Sequence, residues 1–368
     1  MLVGFSPSSE DLKAVKYTQL RGYDWEVSTP AEQGLDPMPV AELYHNAAEL
    51  ESIYGLLVIK DCKLIAEGYF NGGSVEKKTN LKSATKSFTS ALVGIALEQG
   101  CLSSVDQKMM DFFPEFADQI DDPRKEQITI RDLLQMRAGY PWEETTPPYM
   151  DILFFSDNWH WLPHIVDFPL TSDPGTEFGY SNLTSHLLGV IVARACETDL
   201  KSYGQEHLFS PIDAEVVDWT ADADNYNFGS FEIYVTARDM AKFGLLYLND
   251  GEYEGNQVLS VDWVGDSLQR YSEGMNFSGW IPGITSRYGF FRDLGYGYQW
   301  WSARSGDRYF NYASGHGGNY IVLLDDLDMI IVTTADPLYH VPLGGESWQY
   351  ESVIIDLVGK FIKSIPEG

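Results

Sequence analysis

Ser83-Ala84-Thr85-Lys86 opens a stretch, SATKSFTSALVGIALEQG, that runs to Gly100. Its apolar residues recur at helical spacing and Gly100 supplies a stop, so we expect one helix over residues 83–100. Positions i and i+3 share a helix face, which brings the Ser83 hydroxyl towards the Lys86 amine. Two interpretations fit this pair: a helix cap beside a solvated lysine, or a nucleophile beside its base. The second requires a buried polar cleft, because desolvation lowers the pKa of a lysine.

The composition is that of a globular protein with a substantial core. The chain of 368 residues is 44% hydrophobic and 14% aromatic, and its length suits two packed lobes or one large domain with an insertion. A formal net charge of -29 would repel nucleic acid and anionic membrane surfaces, so we expect neither as a partner. No apolar run is long enough to span a membrane. The oligomeric state is left open.

The cysteines and the first residues of the chain bear on cofactors and compartment. Cys62, Cys101 and Cys196 have no metal-ligand spacing and lie in or beside apolar stretches, so we expect core cysteines, no metal and no cofactor. Residues 1–10 lack the basic start and the long apolar segment of a signal peptide. Two hypotheses follow: a cytoplasmic protein, or a chain that begins after a removed leader.

Strand patterns lie towards both ends of the chain, with helix patterns between them. Residues 54–70 are typical of a β-hairpin, and further strand patterns cover 308–313, 319–324 and 329–334. Helix patterns cover 39–50, 128–136, 183–195, 236–248 and the C-terminal residues. We therefore predict an α+β fold in two lobes. Residues 1–80 and 225–368 would form an antiparallel sheet flanked by helices, and residues 81–224 a mainly helical lobe with Ser83 at the junction.

Two more motifs follow in chain order. Tyr180-Ser181-Asn182 lies in a Gly-rich loop before an apolar helix, and His316-Gly317-Gly318 precedes Asn319 at the entrance to a strand. With Ser83-x-x-Lys86, they make the chain resemble the serine β-lactamase-like superfamily. Its members include class C β-lactamases, DD-peptidases, other penicillin-binding proteins and β-lactamase-fold esterases, which carry Ser-x-x-Lys, Tyr-x-Asn and a Lys-Thr-Gly or His-x-Gly strand motif. The resemblance extends from about Trp25 to the C-terminus and implies the two-lobed fold of that superfamily.

The resemblance also implies a role for each matched residue. Ser83 would attack the substrate carbonyl and become acylated, Lys86 would help to deprotonate it, and Tyr180 would shuttle protons to the leaving group and from the deacylating water. The backbone N–H groups of Ser83 and Asn319 would form the oxyanion hole. The residues that would bind or orient the substrate are Asn182, His316, Gly317 and Gly318.

His316 departs from the pattern of β-lactamases and DD-peptidases, which usually hold a lysine there. A histidine is mostly neutral at pH 7, so we expect weak selection for carboxylate-bearing substrates. The sequence thus predicts a serine hydrolase that cleaves small esters through an acyl-enzyme, a carboxylesterase. The enzymatic alternatives are an amide hydrolase, similar to aminohexanoate-dimer hydrolases or D-aminopeptidases, and a weak class C-type β-lactamase.

The alternative from another class is an inactive penicillin-binding-like sensor or binding domain. Intact copies of all three motifs argue against it. Related proteins are often exported, which favours an extracytoplasmic (periplasmic) location over a cytoplasmic one.

Overall fold

The structure is a computed structural model that describes residues 7–17, 24–155, 159–275, 290–339 and 347–366. Residues 1–6, which belong to the segment that lacks a signal-peptide pattern, lie outside the described residues. The α-helices are α1 Ser9–Ala14, α2 Pro37–Ala48, α3 Thr85–Glu98, α4 Ile130–Leu134, α5 Tyr149–Phe155, α6 His164–Asp167, α7 Asn182–Ala195, α8 Leu200–Gly204, α9 Ala237–Leu248, α10 Val261–Leu268 and α11 Ser347–Ser364. The strands are β1 Ile53–Lys60, β2 Lys63–Tyr69, β3 Thr79–Asn80, β4 Asp218–Trp219, β5 Ile233–Val235, β6 Glu252–Tyr253, β7 Asn256–Gln257, β8 Ser272–Met275, β9 Arg292–Tyr296, β10 Trp301–Ser305, β11 Arg308–Gly315, β12 Asn319–Leu324 and β13 Met329–Ala335.

An eight-stranded antiparallel sheet lies at the centre, in the order β2-β1-β13-β12-β11-β10-β9-β8. The N-terminal strand β1 pairs with the C-terminal strand β13, and Leu57 lies opposite Val332. Asp61 and Cys62 form the turn between β1 and β2 at φ values of 49° and 60°, as a two-residue hairpin turn requires. The predicted hairpin and the predicted strands β11, β12 and β13 are confirmed.

Both faces of this sheet are covered, so its central strands are apolar without alternation. In β1, Leu57 and Ile59 face a core that is shared with α3, α7 and α9. Leu56 and Val58 face a second core, shared with α2 and α11. The predicted α+β class, an antiparallel sheet flanked by helices, is confirmed. The division into lobes at residues 80 and 224 stays a prediction.

Helices α3 and α7 pack against each other beside the sheet, and residues 85–96 and 182–193 are all buried. A helix that is buried all round belongs to the protein interior. The start of α3 differs from the prediction, because Lys82–Ala84 form a separate 3-10 turn that contains Ser83. The left-handed backbone of Lys82, with φ at 47°, prevents a right-handed α-helix from extending before Ser83. Gly100, with φ at 77°, follows the helix end as expected.

The described residues contain neither a membrane-spanning helix nor a cluster of metal-ligating side chains. None of their helices is long and apolar enough to cross a membrane. Within the same ranges, no group of three or more His, Cys, Asp or Glu side chains is arranged to hold a metal ion.

Gly315, the last residue of β11, lies where the sheet meets the turn that carries Ser83. A Cβ at this position would lie 1.9 Å from the carbonyl oxygen of Leu81. Gly315→Ala must therefore push the strand away from the turn, and we expect it to lower the free energy of unfolding by about 1–3 kcal/mol. Urea unfolding measures the change.

The matched control is Gly265, which lies in α10 with nothing within 4 Å of its Cβ position. Gly265→Ala should raise the free energy of unfolding by about 0.5–1 kcal/mol, because alanine restricts the unfolded chain more than glycine does. Equal effects of the two substitutions would contradict the close contact at Gly315.

Candidate active site

Ser83 and Lys86 meet as the sequence predicts, and the cleft around the lysine is buried and polar. Ser83 is partly exposed in its 3-10 turn, whereas Lys86, in the first turn of α3, is only 1% exposed. The Nζ of Lys86 donates hydrogen bonds to Ser83 Oγ (3.1 Å), Asn182 Oδ1 (2.8 Å) and the backbone oxygen of Ser230 (2.9 Å). These three acceptors match the three N–H groups of an ammonium. The nucleophile candidate is thus accessible while its neighbouring amine is enclosed.

Burial controls the charge of this amine. It lowers the pKa of Lys86 to about 7, while the nearby carboxylates of Glu144 and Glu143 act in the opposite direction. A substantial fraction of the amine is therefore neutral at neutral pH. A neutral amine 3.1 Å from a hydroxyl oxygen can accept the hydroxyl proton.

Tyr180 immediately precedes Ser181, the N-cap residue of α7, and its ring lies over the Lys86 amine. The Nζ of Lys86 lies 4.9 Å from the centroid of the Tyr180 ring. That ring stacks on Trp301 at 5.4 Å, and it also contacts Trp142 at 5.8 Å. These contacts fix the position of a side chain that is 5% exposed. The sequence predicted that Tyr180 faces Lys86, but it did not predict that Trp301 stacks on the Tyr180 ring.

Asn182 is the first residue of α7 and contacts both the Lys86 amine and two carboxyl groups. Its Oδ1 accepts the hydrogen bond from Lys86, and its Nδ2 donates to Glu144 Oε1 at 3.3 Å. Its backbone N–H donates to Glu143 Oε2 at 2.9 Å. The sequence missed both glutamates, because they belong to a loop about 40 residues earlier and follow no motif spacing.

The sequence also missed the carbonyl of Ser230. It reaches Lys86 because Gly229 passes very close to α7, where a Cβ would lie 2.3 Å from the backbone oxygen of Ser185. The carbonyl of Gly229 also accepts a hydrogen bond from Thr89 of α3 at 2.8 Å. An isolated glycine beside the buried Phe228 was the available signal of a close backbone approach.

The residue before Ser83 is held in an unusual conformation. Lys82 has φ at 47°, which costs a non-glycine residue energy. Its N–H donates to Asn80 Oδ1 at 2.9 Å, and its Nζ forms an ion pair with Glu232 at 2.7 Å. These two contacts hold the turn that presents the Ser83 side chain.

His316, Gly317 and Gly318 form the turn between β11 and β12. Both glycines have positive φ, 87° and 105°, and their Cβ positions lie 2.5 Å from Pro337 Cα and from Ile354 Cδ1, respectively. Packing within the protein therefore accounts for both glycines. Contacts of this turn with a substrate stay a prediction.

Hydrogen bonds connect this turn and the adjacent Asn319 to the neighbouring elements α11 and β13. His316 Nδ1 lies 3.0 Å from Glu351 Oε2 on α11, and the Gly317 N–H donates to that oxygen at 3.2 Å. Asn319 Nδ2 donates to the His316 carbonyl (3.1 Å), while its Oδ1 accepts from the Ala335 N–H (3.0 Å). The turn is thereby tied to β13 and α11.

Direct contacts thus join four of the predicted residues: Ser83, Lys86, Tyr180 and Asn182. The turn of His316 and Asn319 reaches this group through Gly315, which packs on the residues that precede Ser83.

Comparison with known proteins identifies the class. The model of the Beta-lactamase family matches residues 53–350, so the chain belongs to that family of β-lactamase-fold serine hydrolases. The 6-aminohexanoate-dimer hydrolase of Paenarthrobacter ureafaciens is 26% identical over 258 residues, which are 67% of this chain and 63% of that protein. The chain thus spans less than two thirds of the length of this relative.

Solved structures share the fold at low sequence identity. The LovD6 mutant of simvastatin synthase (LovD) from Aspergillus terreus is 16% identical, with a TM-score of 0.66. The superposition covers 90% of this chain and 99% of the synthase chain. EstCE1, a hydrolase with promiscuous acyltransferase activity, is 15% identical with a TM-score of 0.66 over 88% of this chain and 97% of its own.

The lowered pKa of Lys86 makes stability depend on pH. Between about pH 7 and the ordinary lysine value of 10.5, the folded amine is neutral while the unfolded one is protonated. Because the unfolded state binds more protons there, the free energy of unfolding should rise with pH. Relative to Lys86→Met, the wild type should gain about 1.4 kcal/mol per pH unit within this window.

Urea unfolding of both proteins at several pH values above 7 measures that difference. The exposed Lys363, near the end of α11, provides the control, and Lys363→Met should leave the pH dependence as it is in the wild type. Parallel curves for wild type and Lys86→Met would contradict the burial of an amine that is neutral in the folded protein.

Proposed function

We propose that the protein is a carboxylesterase that hydrolyses small esters through an acyl-enzyme on Ser83. The observation that carries the proposal is the accessible Ser83 hydroxyl, 3.1 Å from a buried amine whose pKa is lowered to about 7. A serine hydroxyl needs a base to become nucleophilic, and this amine meets the requirements of distance and charge.

In the acylation step, Ser83 Oγ attacks the ester carbonyl carbon as its proton passes to Lys86 Nζ. The carbonyl oxygen becomes negatively charged and would be stabilised by the backbone N–H groups of Ser83 and Asn319. The bond to the leaving alcohol then breaks. The alcohol oxygen would take a proton from the Tyr180 hydroxyl, and Lys86 would return the proton of Ser83 to Tyr180.

In the deacylation step, water replaces the alcohol. As the water oxygen attacks the acyl carbon, one water proton passes through the Tyr180 hydroxyl to the neutral Lys86 amine. The bond between the acyl carbon and Ser83 Oγ then breaks, and Lys86 returns the proton to Ser83 Oγ. Asn182 holds the Lys86 amine between these two steps through its Oδ1 at 2.8 Å. The products are a carboxylic acid and the regenerated serine.

The charges around the site favour substrates without a carboxylate. Glu143 and Glu144 lie close enough to Lys86 to influence its pKa. Glu351 forms a hydrogen bond with His316, and His316 stands at the position where lactamases usually hold a lysine. Like charges repel, so a substrate carboxylate would be opposed by this set of carboxyl groups. Neutral esters avoid this cost.

Linear amides are the second candidate substrate class. The match to the 6-aminohexanoate-dimer hydrolase over 67% of the chain supports this candidate. An amide needs a stronger proton donor to its leaving nitrogen than an ester does. The paired Tyr180 and Lys86 would supply that proton.

Ser83→Ala should abolish hydrolysis of a short-chain p-nitrophenyl ester and covalent labelling by a fluorophosphonate, because the attacking oxygen is removed. Absorbance at the nitrophenolate wavelength and intact-protein mass measure the two effects. Ser103→Ala, at an exposed serine, is the control and should keep both activities. Retained ester hydrolysis in Ser83→Ala would refute the assignment.

Side-by-side assays distinguish the substrate classes. Fast ester cleavage with little turnover of a chromogenic cephalosporin supports an esterase, and dominant lactam cleavage would make the protein a β-lactamase. Turnover of a p-nitroanilide alone would favour the amide hydrolase. Labelling of Ser83 without turnover of any substrate would favour a binding or sensor domain.

Tyr180→Phe should lower kcat for the ester by about 100-fold or more while the fold survives, because only the hydroxyl is lost from a packed ring. Circular dichroism and urea unfolding check the fold. A loss below about threefold would place the proton shuttle elsewhere. Tyr309→Phe, at a tyrosine that is 50% exposed, controls for the loss of a phenolic hydroxyl.

A further inference from the structure

A buried carboxyl group lies behind the predicted catalytic residues without being one of them. Glu143 follows Trp142 in the 3-10 turn Glu143–Thr145, and its side chain has no solvent exposure. Isolated buried carboxylates are rare, because the loss of hydration is costly unless hydrogen bonds replace it. The position of Glu143 therefore calls for an explanation.

Three groups at the start of α7 donate hydrogen bonds to its carboxylate. Glu143 Oε1 accepts from Ser181 Oγ at 2.6 Å and from the Leu183 N–H at 3.2 Å, and Oε2 accepts from the Asn182 N–H at 2.9 Å. The first N–H groups of a helix have no partner within the helix and carry partial positive charge, which suits a carboxylate. Ser181 completes the cap by accepting from the Thr184 N–H at 3.1 Å.

The segment held in this way carries the residues that surround Lys86. Tyr180 immediately precedes the capping serine, and Asn182 directly follows it. Asn182 donates its backbone N–H to Glu143 and accepts the Lys86 hydrogen bond with its side chain. One residue therefore connects the carboxylate to the amine, with a further contact from the Tyr180 ring.

The carboxylate also influences the amine through its charge. Burial raises the pKa of Glu143 to about 7, and its negative charge raises the pKa of Lys86 against the larger effect of desolvation. The titratable groups that face this pair are Glu144 on the same turn and Tyr180 before α7. Ionisation of Glu143 therefore opposes loss of the proton from Lys86, and the two titrations are coupled.

The protonated form of Glu143 could not keep the same contacts. Each carboxyl oxygen accepts from a backbone N–H group, Oε2 from Asn182 and Oε1 from Leu183, and these groups can only donate, so a proton on either oxygen opposes one of these bonds. Loss of the proton would thus restore the cap and, through it, the positions of Tyr180 and Asn182.

Glu144 provides a contrast on the same turn. Its carboxylate is only partly buried, and the hydrogen bond it accepts is a 3.3 Å contact from Asn182 Nδ2. It contributes charge beside Lys86 but does not hold the backbone of α7.

We propose that Glu143 is a positioning residue: its ionised carboxylate holds Tyr180 and Asn182 against Lys86, and so sets the pH range in which Ser83 can be acylated. The inference rests on the proposed role of Ser83. It assigns to Glu143 no contact with the substrate.

The test is the rate of Ser83 labelling by a fluorophosphonate between pH 5 and pH 9, which needs no knowledge of the natural substrate. In this reaction Ser83 Oγ bonds to phosphorus, fluoride leaves, and the serine proton passes to Lys86. In the wild type we expect a steep acid limb, because both Glu143 and Lys86 must lose a proton. In Glu143→Gln, one titrating group remains, so the limb should become shallower and move to lower pH.

The plateau rate of Glu143→Gln should fall by about tenfold or more, because small displacements of catalytic groups have large effects on rate. Glu144→Gln should move the acid limb to lower pH without making it shallower, since it removes a charge and leaves the cap in place. Glu143→Asp keeps the charge but is too short to reach all three donors, and its plateau rate should also fall.

Several outcomes would overturn the proposal. One is a Glu143→Gln variant with the labelling rate and the acid-limb slope of the wild type. Another is a Glu143→Gln variant with a lower rate and an unchanged acid limb, which would show that Glu143 only stabilises the start of α7. If Glu143→Gln does not fold by circular dichroism, Glu143→Asp decides, and a wild-type rate in that variant rejects the proposal. If wild-type Ser83 is not labelled at any pH, the proposed function fails and not the role of Glu143 alone.

Discussion

The burial of one amine determines how the centre of this protein is built. Lys86 lies inside a helix that is enclosed on all sides, and an amine in such a place needs acceptors for each N–H group. Ser83, Asn182 and Ser230 supply them from three separate parts of the chain. The contacts that allow the amine to be buried are therefore the same contacts that assemble the candidate site.

The elements that could be predicted from the sequence are those whose formation depends on residues close to one another in the sequence. The β1–β2 hairpin follows from a short turn between apolar strands, and Thr129 caps α4 with Asp132 as a local capping box. Ser83 and Lys86 could be paired because both are fixed by the same helix. Lys82 could not be predicted to adopt positive φ, because the contacts that hold it come from Asn80 and Glu232.

The site residues that could not be predicted from the sequence depend on contacts between distant parts of the chain. Glu143 and Ser230 reach the site from loops, and their roles depend on how those loops cross α3 and α7. Neither residue type is unusual in a loop, so nothing in its local pattern distinguishes it. Only the Gly229 beside Ser230 indicated a close approach of backbones, and a glycine alone does not identify its neighbour.

The pairing of β1 with β13 has a consequence for how the chain acquires its structure. Lys60 donates a hydrogen bond to the carbonyl of Leu327, 267 positions away in the sequence. One edge of β1 pairs with the adjacent β2, but its other edge pairs with β13 near the end of the sheet's sequence. During synthesis, β1 leaves the ribosome long before its partner exists. The nascent chain must therefore keep an apolar strand without its central neighbour for most of translation, and such high contact order is associated with slow folding.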